Sequence, residues 1–399
     1  MLIIKNVNLI DGTGKPPVLA NILIDQGKII DAGAHVPDIA HADVINAEGM
    51  TAIPALSDAH THFSGSSLFN RPPLGRREKT YDFAEAREAC LRWGVTAVRT
   101  TGDLMPDILE FRDDAAKGKQ VSPRIVSAGP MFQARGGHPC YTVFGADKEI
   151  ESDACIIIDD DTDIEQKVKA VAKLKVDWIK VFYAHINKMN YPEPVPRISY
   201  RTLERTVNAA HELGLPVMVH VDGADEMADA ARCGADSIEH MLGVGADSTD
   251  FSEELIGHIV KKNIIVVPTM ISILKFDAKL PGSVPVWEKL KAAVLRFKNS
   301  GIPIAVGCDS GIPLVMHGES VHDELSLMVE AGFTPMEAIC AGTNGNAKLL
   351  RREHCLGTIE RGKDADLLLL GSDPLKDIRH TKDIKMVFMR GKIVYDNLR

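Results

Sequence analysis

The chain is organised around the stretch Ala52-Ile-Pro-Ala-Leu-Ser-Asp-Ala-His-Thr-His62, in which a short apolar run ends in two histidines one residue apart. Side chains at positions i and i+2 of an extended strand point to the same side. We therefore expect His60 and His62 to project together from one strand end, where two imidazoles can hold one metal ion. A lone His-x-His pair is more often packed or solvated by chance, so its meaning depends on the rest of the chain.

Beyond this stretch, strand-like apolar runs alternate with helix-like segments, which indicates parallel strands joined by helical crossovers. Eight such units in about 270 residues match a closed (β/α)8 TIM barrel. The alternative, a doubly wound open sheet, normally carries a glycine-rich phosphate loop where this chain has histidines. After the first strand, the sequence predicts strands at Val95–Thr101, Arg124–Ala128, Trp178–Tyr183, Pro216–Val221, Ser237–Met241, Ile264–Met270 and Pro303–Cys308.

The two ends of the chain lack this alternation and show short strands and turns instead. We expect them to pair into one small, discontinuous β-sandwich domain made of residues 1–54 and 355–399. Residues 55–354 would form the barrel, and Pro335–Leu350 would be a helix that follows its last strand. The predicted fold class is therefore α/β, with a large barrel and a smaller all-β unit.

Composition limits the possible partners and the compartment. The 399 residues carry a formal net charge of -9 and no basic stripe, which argues against nucleic acid as a partner. No apolar run reaches the ~20 residues of a membrane span, and the first residues lack signal-peptide character. The seven cysteines are scattered without Cys-x-x-Cys pairing, which fits a reducing cytoplasm better than a disulfide framework.

Ligand-type side chains recur at the ends of the predicted strands. Catalytic groups of barrel enzymes collect at the carboxyl ends of the strands. Imidazole and carboxylate suit zinc and similar divalent ions. Because the set exceeds what one tetrahedral ion with an open position requires, it predicts two divalent ions close together. The predicted metal ligands are His60, His62, Lys180, His220, His240 and Asp309.

Lys180 lies inside the strongly apolar run Asp177-Trp-Ile-Lys-Val-Phe. A buried ammonium group is costly, so one interpretation is that Lys180 pairs with an acidic neighbour or extends to solvent. The other is that its amine has reacted with carbon dioxide to give a carbamate, an anion whose two oxygens can bridge two metal ions. Together with the other ligand-type residues, the sequence favours the carbamate.

The whole chain resembles the amidohydrolase superfamily of binuclear metal-dependent hydrolases, and within it the imidazolonepropionase-like group that includes prolidase-like dipeptidases. Each matching motif is short, but the ordered set is specific and extends over nearly the whole chain. The motifs are Pro54-Ala-Leu-Ser-Asp-Ala-His-Thr-His62, Asp177-Trp-Ile-Lys180, Val219-His220, Ile238-Glu-His240, Gly307-Cys-Asp309-Ser-Gly and the tail Gly357-Thr-Ile-Glu-Arg-Gly-Lys-Asp-Ala-Asp366.

This resemblance implies a division of labour among the ligands. His60, His62 and Asp309 would hold the buried ion, and His220 and His240 the more exposed one. The carbamate of Lys180 and a hydroxide would bridge the two ions, for which zinc is the default given the preference of such ligands. Asp309 would also be the catalytic base and then the acid. The implied activity is hydrolysis of an amide or other non-ester C–N bond.

Substrate contacts are predicted from the loops that follow the strands. His138 and Arg135 lie in the glycine- and proline-rich loop Gly129–Pro139, and His138 resembles a substrate-contacting histidine of the dipeptidases. Tyr183, at the end of the predicted strand that carries Lys180, is expected to line the pocket. Asp222 stands where dipeptidase relatives typically have a tyrosine that helps bind the peptide's terminal carboxylate. Since an acid repels a carboxylate, Asp222 suggests a different or cationic substrate group.

The leading prediction is a prolidase-like dipeptidase or an N-acyl amino acid hydrolase acting on a small-molecule substrate. The alternatives are hydrolysis of a cyclic amide or ureide, as by imidazolonepropionase, or of a xenobiotic amide. A mononuclear deaminase is disfavoured, because deaminases of similar fold have a glutamate three residues after the histidine of this strand. Here that position, three residues after His220, is Gly223. A non-catalytic scaffold is disfavoured, because non-catalytic relatives have lost metal ligands and this sequence lacks none of them. The resemblance also suggests a homo-oligomer.

Overall fold

A computed structural model describes residues 1–36, 39–64, 83–143, 148–186, 193–243, 250–277 and 286–398 of the protein. Over these ranges the chain has an α/β fold in which strands and helices alternate through the middle of the sequence. No helix within the described ranges is long and apolar enough to cross a membrane.

Strands and α-helices make up most of the regular secondary structure of the described residues, together with a short 3-10 helix, Ile378–Lys382. The strands are β1 (Leu2–Leu9), β2 (Val18–Asp25), β3 (Lys28–Gly33), β4 (Asp43–Asn46), β5 (Thr51–Pro54), β6 (Leu56–Thr61), β7 (Val95–Thr100), β8 (Arg124–Ser127), β9 (Met131–Gln133), β10 (Cys155–Ile157), β11 (Ile179–Phe182), β12 (Val217–Val221), β13 (Ser237–His240), β14 (Ile265–Val267), β15 (Leu367–Leu370), β16 (Ile384–Met389) and β17 (Lys392–Asp396). The α-helices are α1 (Ala84–Arg92), α2 (Asp107–Ala116), α3 (Lys148–Ala154), α4 (Ile164–Ala172), α5 (Tyr200–Glu212), α6 (Ala224–Cys233), α7 (Glu253–Lys262), α8 (Met270–Asp277), α9 (Trp287–Asn299), α10 (Glu319–Glu330), α11 (Pro335–Cys340) and α12 (Asn346–Leu349).

Strands from both chain ends form one eight-stranded sheet in the order β17-β16-β15-β5-β1-β2-β3, with β4 paired to β1. The ends meet where β5 runs antiparallel to β15, with Ala52 opposite Leu369. One face of this sheet buries apolar side chains such as Ile4, Ile22 and Leu367 in a common cluster. The sandwich form and the domain boundaries at residues 54 and 355 remain predictions.

The middle of the chain contains two parallel sheets, one of six strands in the order β10-β9-β11-β12-β13-β14 and one of three in the order β6-β7-β8. Backbone hydrogen bonds of the segment 303–310 reach both sheets. Ala305 N–H donates to Val266 O at 3.0 Å, and Ala59 N–H donates to Val306 O at 2.9 Å. This segment therefore brings the ends of β6 and β14 into one region, although closure of an eight-stranded barrel remains a prediction.

The predicted strand Pro303–Cys308 is irregular and contributes only an isolated bridge between Ile304 and Val266. Pro303 has no N–H to offer a ladder. Gly307 lies so close to β6 that an added Cβ would stand 2.8 Å from the Cβ of His60. The backbone of this segment therefore packs closely against the strand of His60 and does not form a regular ladder of hydrogen bonds.

Three further expectations differ from the structure. The loop Gly129–Pro139 contains β9, which pairs in parallel with both β10 and β11. Met270 begins α8 instead of ending a strand, because the Glu324 carboxylate accepts hydrogen bonds from the amides of Met270 and Ile271. The single helix predicted over Pro335–Leu350 is interrupted by a π turn, Ala341–Gly345.

Candidate metal centre

Two histidines and an aspartate converge at the carboxyl end of β6. Nε2 of His62 lies 3.2 Å from Oδ1 of Asp309, and Nε2 of His60 lies 3.6 Å from the same oxygen. One ligand atom of each residue lies within 4.8 Å of the other two. The backbone contributes to this arrangement, since Asp309 N–H donates to His60 O at 2.8 Å. The three donors fit a divalent cation with a preference for nitrogen and oxygen ligands.

The backbone adopts rare conformations at the predicted ligands. His240 has φ 72° and Asp309 has φ 63°, both in the left-handed region that residues other than glycine seldom adopt. Such conformations cost free energy and persist where the surrounding structure enforces them, often at functional sites. Nearby, Gly311 has φ 98°, and an added Cβ would collide with His62 O. Local strain thus accompanies the turn that directs Asp309 toward the histidines.

The remaining predicted histidines lie beside this cluster. The ring centroids of His60 and His240 are 4.8 Å apart, and those of His220 and His240 are 4.3 Å apart. His60 and His62 have ring centroids 5.5 Å apart. The structure therefore gathers the four imidazoles, from three separate strand ends, around one small volume.

Lys180, on β11, is fully buried, and its Nζ has no hydrogen-bond partner among the residues that the structure describes. This Nζ lies 4.7 Å from the ring centroid of Phe182, whose ring in turn stands 4.8 Å from that of His220. Burial lowers the pKa of Lys180 to about 8, although the charges of Glu239 and Asp309 act to raise it. An amine with a lowered pKa is more readily available in its neutral, nucleophilic form.

The histidines differ in their electrostatics. Burial, with the nearby charge of Lys180, lowers the pKa of His60 to about 3. Burial and the neighbouring His220 also hold the pKa of His240 well below its usual value. Burial acts to lower the pKa of His62, but the hydrogen bond to Asp309, the charges of Asp309 and Asp103 and the hydrogen bond to Gly102 together raise it. His60 and His240 are therefore neutral at pH 7, which is the form that binds metals.

Three of the four histidines have their Nδ1 atoms hydrogen bonded to groups outside the cluster. His62 Nδ1 donates to Gly102 O at 2.7 Å, and His240 Nδ1 is hydrogen bonded to Thr269 Oγ1 at 2.7 Å. His60 Nδ1 lies 2.7 Å from the Oε2 of Glu239. Such partners fix the ring orientation of metal-binding histidines and leave Nε2 for the ion.

Sequence analysis missed Thr269 and Glu239, although a charged residue inside the apolar strand run Ser237-Ile-Glu-His was an available signal.

The four predicted substrate contacts have different surroundings. Asp222 Oδ2 lies 3.1 Å from His220 Nε2, which places this carboxylate beside the ligand cluster. The ring of His138 lies 5.1 Å from that of His220. The Tyr183 hydroxyl donates to Asp229 at 2.7 Å, so its proton is directed to α6. Arg135 is exposed on the loop that carries His138. Substrate contact by these residues remains a prediction.

Comparison with known proteins identifies the family. The model of the amidohydrolase family matches residues 51–394. The imidazolonepropionase of Geobacillus thermodenitrificans is 24% identical over 417 residues, covering 94% of this chain and 89% of the relative. The ochratoxinase of Aspergillus niger is 24% identical over 421 residues, covering 95% and 83%. The structure of a Xaa-Pro dipeptidase with bound methionine matches with a TM-score of 0.83 and 26% identity, covering 99% and 100%.

Proposed function

Since the chain belongs to the amidohydrolase family, we propose that it is a hydrolase of amide bonds that uses two divalent metal ions. The leading assignment is a prolidase-like dipeptidase or an N-acyl amino acid hydrolase. The similarity to a solved Xaa-Pro dipeptidase along 99% of the chain supports this choice.

One observation carries the proposal: a buried amine without a hydrogen-bond partner stands beside the convergent histidines and aspartate. Lys180 Nζ is such an orphaned group within the described structure, and leaving a buried polar group unpaired is costly. Conversion of the amine to a carbamate would replace an orphaned donor with two oxygens able to ligate cations. We propose that His60, His62 and Asp309 would hold one ion, that His220 and His240 would hold the other, and that the carbamate of Lys180 would supply oxygen ligands to the ions.

The two ions, when bound, would lower the pKa of water and polarise the carbonyl group of the substrate. The protein itself moves the proton. Asp309 is 5% exposed and its Oδ1 faces both His60 and His62. From this position the carboxylate accepts the proton of the attacking water as general base and then transfers it to the leaving amine as general acid. His138, whose ring lies against those of His220 and Phe182, would contact the substrate from the loop side.

Asp222 limits the range of substrate groups that can bind beside His220. Its carboxylate is 8% exposed beside His220, so a substrate carboxylate there would meet a like charge in a poorly solvated place. We propose that Asp222 selects a substrate with a cationic or neutral group at this point. This supports a second candidate substrate class, namely a cyclic amide, a ureide or a xenobiotic amide. The similarity to an imidazolonepropionase and to an ochratoxinase supports that alternative.

The proposal also includes the domain architecture, the cellular compartment and the oligomeric state of the protein. Residues 55–354 would close into a (β/α)8 barrel, with the strands of both chain ends forming a β-sandwich domain beside it. The protein would work in the cytoplasm as a homo-oligomer on small molecules, without nucleic acid or membrane partners. The convergence of side chains at the ends of β6, β12 and β13 supports the barrel, because barrel enzymes build their sites at this edge.

Amine release from a panel of dipeptides, N-acyl amino acids, lactams and ureides, with zinc and bicarbonate supplied, tests the proposal. Cleavage within one residue class of dipeptides would establish a peptidase. Cleavage confined to lactams, ureides or other non-peptide amides would support the second candidate. No C–N cleavage of any panel member by the metal-loaded protein would contradict amide hydrolysis.

A further inference from the structure

Two fully buried charged residues lie directly behind the candidate metal centre. Glu239, on β13, immediately precedes the ligand His240, and its Oε2 lies 2.7 Å from Nδ1 of His60. Arg99, on β7, contacts both carboxylate oxygens of Glu239 through Nη2, at 2.8 and 3.0 Å. Both side chains have no exposed surface. A buried ion pair of this kind rarely adds stability over apolar packing, so its presence calls for a reason beyond packing.

The remaining hydrogen bonds of Arg99 and Glu239 connect this pair to the strands that carry His60 and His240. Arg99 Nε donates to Ala59 O at 2.7 Å, which is the carbonyl of the residue before His60. Arg99 Nη1 donates to Ser237 Oγ at 2.9 Å, and the Ser237 hydroxyl donates to Glu239 Oε1 at 2.5 Å. The guanidinium also stands 4.6 Å from the ring centroid of Trp178. The carboxylate is thereby fixed in orientation by donors on two strands.

The hydrogen bond between Glu239 and His60 determines where His60 carries its proton. Arg99 Nη2 donates to both oxygens of Glu239 and the Ser237 hydroxyl donates to Oε1, so the side chain is held as a carboxylate paired with the guanidinium. An ionised carboxylate only accepts hydrogen bonds, and a neutral imidazole carries one proton. The proton must therefore sit on His60 Nδ1. The lone pair of Nε2 then faces Asp309, 3.6 Å away, where a metal ligand is needed.

We propose that Glu239 and Arg99 are positioning residues for the metal centre: Glu239 fixes the metal-binding tautomer of His60, and Arg99 fixes Glu239. This inference rests on the proposed function, because it assigns the pair to the ion held by His60, His62 and Asp309. A carboxylate behind a metal-binding imidazole also makes the ring a stronger ligand. A purely structural pair would stabilise the fold without affecting the tautomer or the metal affinity.

The variant Glu239→Gln separates these roles, because the amide has nearly the same shape but a different donor pattern. Arg99 and the Ser237 hydroxyl would retain the amide oxygen, so the amide N–H would point at His60 Nδ1. That contact forces the His60 proton onto Nε2 and removes the metal-binding lone pair. We expect zinc affinity at this position to fall by about 10–100-fold, the range for partners behind metal ligands.

Zinc affinity would be measured by titrating the metal-free full-length protein against a competing chelator, with Glu324→Gln as the matched control. Glu324 is another fully buried acidic residue, but its side-chain oxygens accept hydrogen bonds from the backbone amides of Met270 and Ile271 and not from a predicted ligand. The inference is supported if Glu239→Gln lowers the affinity for one zinc ion and Glu324→Gln leaves the affinity for both ions unchanged. It is overturned if both variants bind zinc as tightly as the wild type. If the wild type itself binds no zinc, the proposed metal centre fails instead.

A measurement on the wild-type protein covers the case in which Glu239→Gln does not fold. Nitrogen-15 NMR of histidine-labelled, metal-free protein distinguishes the two imidazole tautomers, and loss of a signal in His60→Asn assigns His60. The inference requires the proton on Nδ1 of His60. A His60 ring protonated on Nε2 contradicts it, whatever the metal content.

Discussion

The Nε2 atom of His62 lies 3.2 Å from the Oδ1 atom of Asp309, although the two residues belong to the first and last strand segments of the central region. An imidazole in its neutral form and a carboxylate at this separation can share one small cation, which would displace the proton between them. The His62 ring is held from behind by Gly102 O at 2.7 Å. The pair thus has a fixed geometry before any ion binds, which reduces the ordering cost of binding.

Replacement of Lys180 by alanine should abolish amide hydrolysis, because the variant loses the proposed bridging carbamate. We expect a loss greater than about 100-fold, beyond the effect of an outer partner of a metal ligand. Short-chain carboxylates supplied in solution should restore part of the rate by occupying the vacated space. The check is amine release with and without acetate or propionate. A fully active Lys180→Ala protein would remove the two-metal mechanism.

Replacement of Asp222 by asparagine should change substrate preference more than catalysis. The variant removes a negative charge beside His220 while keeping a side chain of similar size. We expect KM for substrates with a cationic group near the scissile bond to rise by about 10-fold or more, as for loss of one partner of a buried charge pair. Substrates with a carboxylate there should improve. Equal changes for both substrate classes would contradict the assignment.

Glu324 should make the stability of the protein depend on pH. Burial raises the pKa of Glu324 from 4.5 to about 8 in the folded protein. The folded state therefore binds the proton more tightly than the unfolded state. The contribution of this residue to stability is full below its ordinary pKa and is lost as pH rises through about 8. Burial of the carboxylate thus becomes increasingly unfavourable above that ordinary value.

The variant Glu324→Gln cannot be deprotonated, so it should lack this pH dependence. Urea unfolding of both proteins between about pH 5 and about pH 9 gives the comparison. The free energy of unfolding of the variant, minus that of the wild type, should increase as pH rises. A constant difference across the range would show that the carboxyl titrates normally in the folded protein.

Truncation of Leu368 tests how firmly the chain-end sheet is packed against the central region. Leu368 is fully buried on β15, and its Cδ2 would stand only 2.6 Å from a Cβ added at Gly94. Leu368→Ala should lower the free energy of unfolding by about 2–5 kcal/mol, as other buried truncations do. Leu19→Ala is the control, since Leu19 is 68% exposed and should change stability by less than about 0.5 kcal/mol. Equal effects in denaturant titrations would argue against a tightly packed contact.

Patterns of apolar residues predicted the strands and helices that are periodic along the chain. The predicted strand Pro216–Val221 corresponds to β12, and the expected alternation of strand and helix continues there with α6 from Ala224. Such elements bury one continuous face, so their period is visible locally. The start of α8 at Met270 was not visible, because it depends on Glu324, a residue distant in sequence. The π turn before Asn346 likewise accompanies contacts of that side chain with Ser57 and Val306.

The candidate site shows the same division. His60 and His62 are recognisable from their spacing, and His220, His240 and Asp309 from their place at strand ends. Glu239 and Arg99 could be noticed only as charged residues in apolar runs, and their shared hydrogen bonds arise from the packing of separate strands. Substrate contacts are the least predictable part, because loop positions such as His138 carry no periodic pattern.

Metal analysis of the purified, folded wild-type chain, after loading with zinc in the presence of bicarbonate and removal of free metal, counts the ions that the site holds. We expect two zinc ions per chain, and fewer in variants of His60, His240 or Lys180. Retention of at most one ion by the folded wild-type protein would contradict the two-metal centre on which the proposed hydrolysis depends.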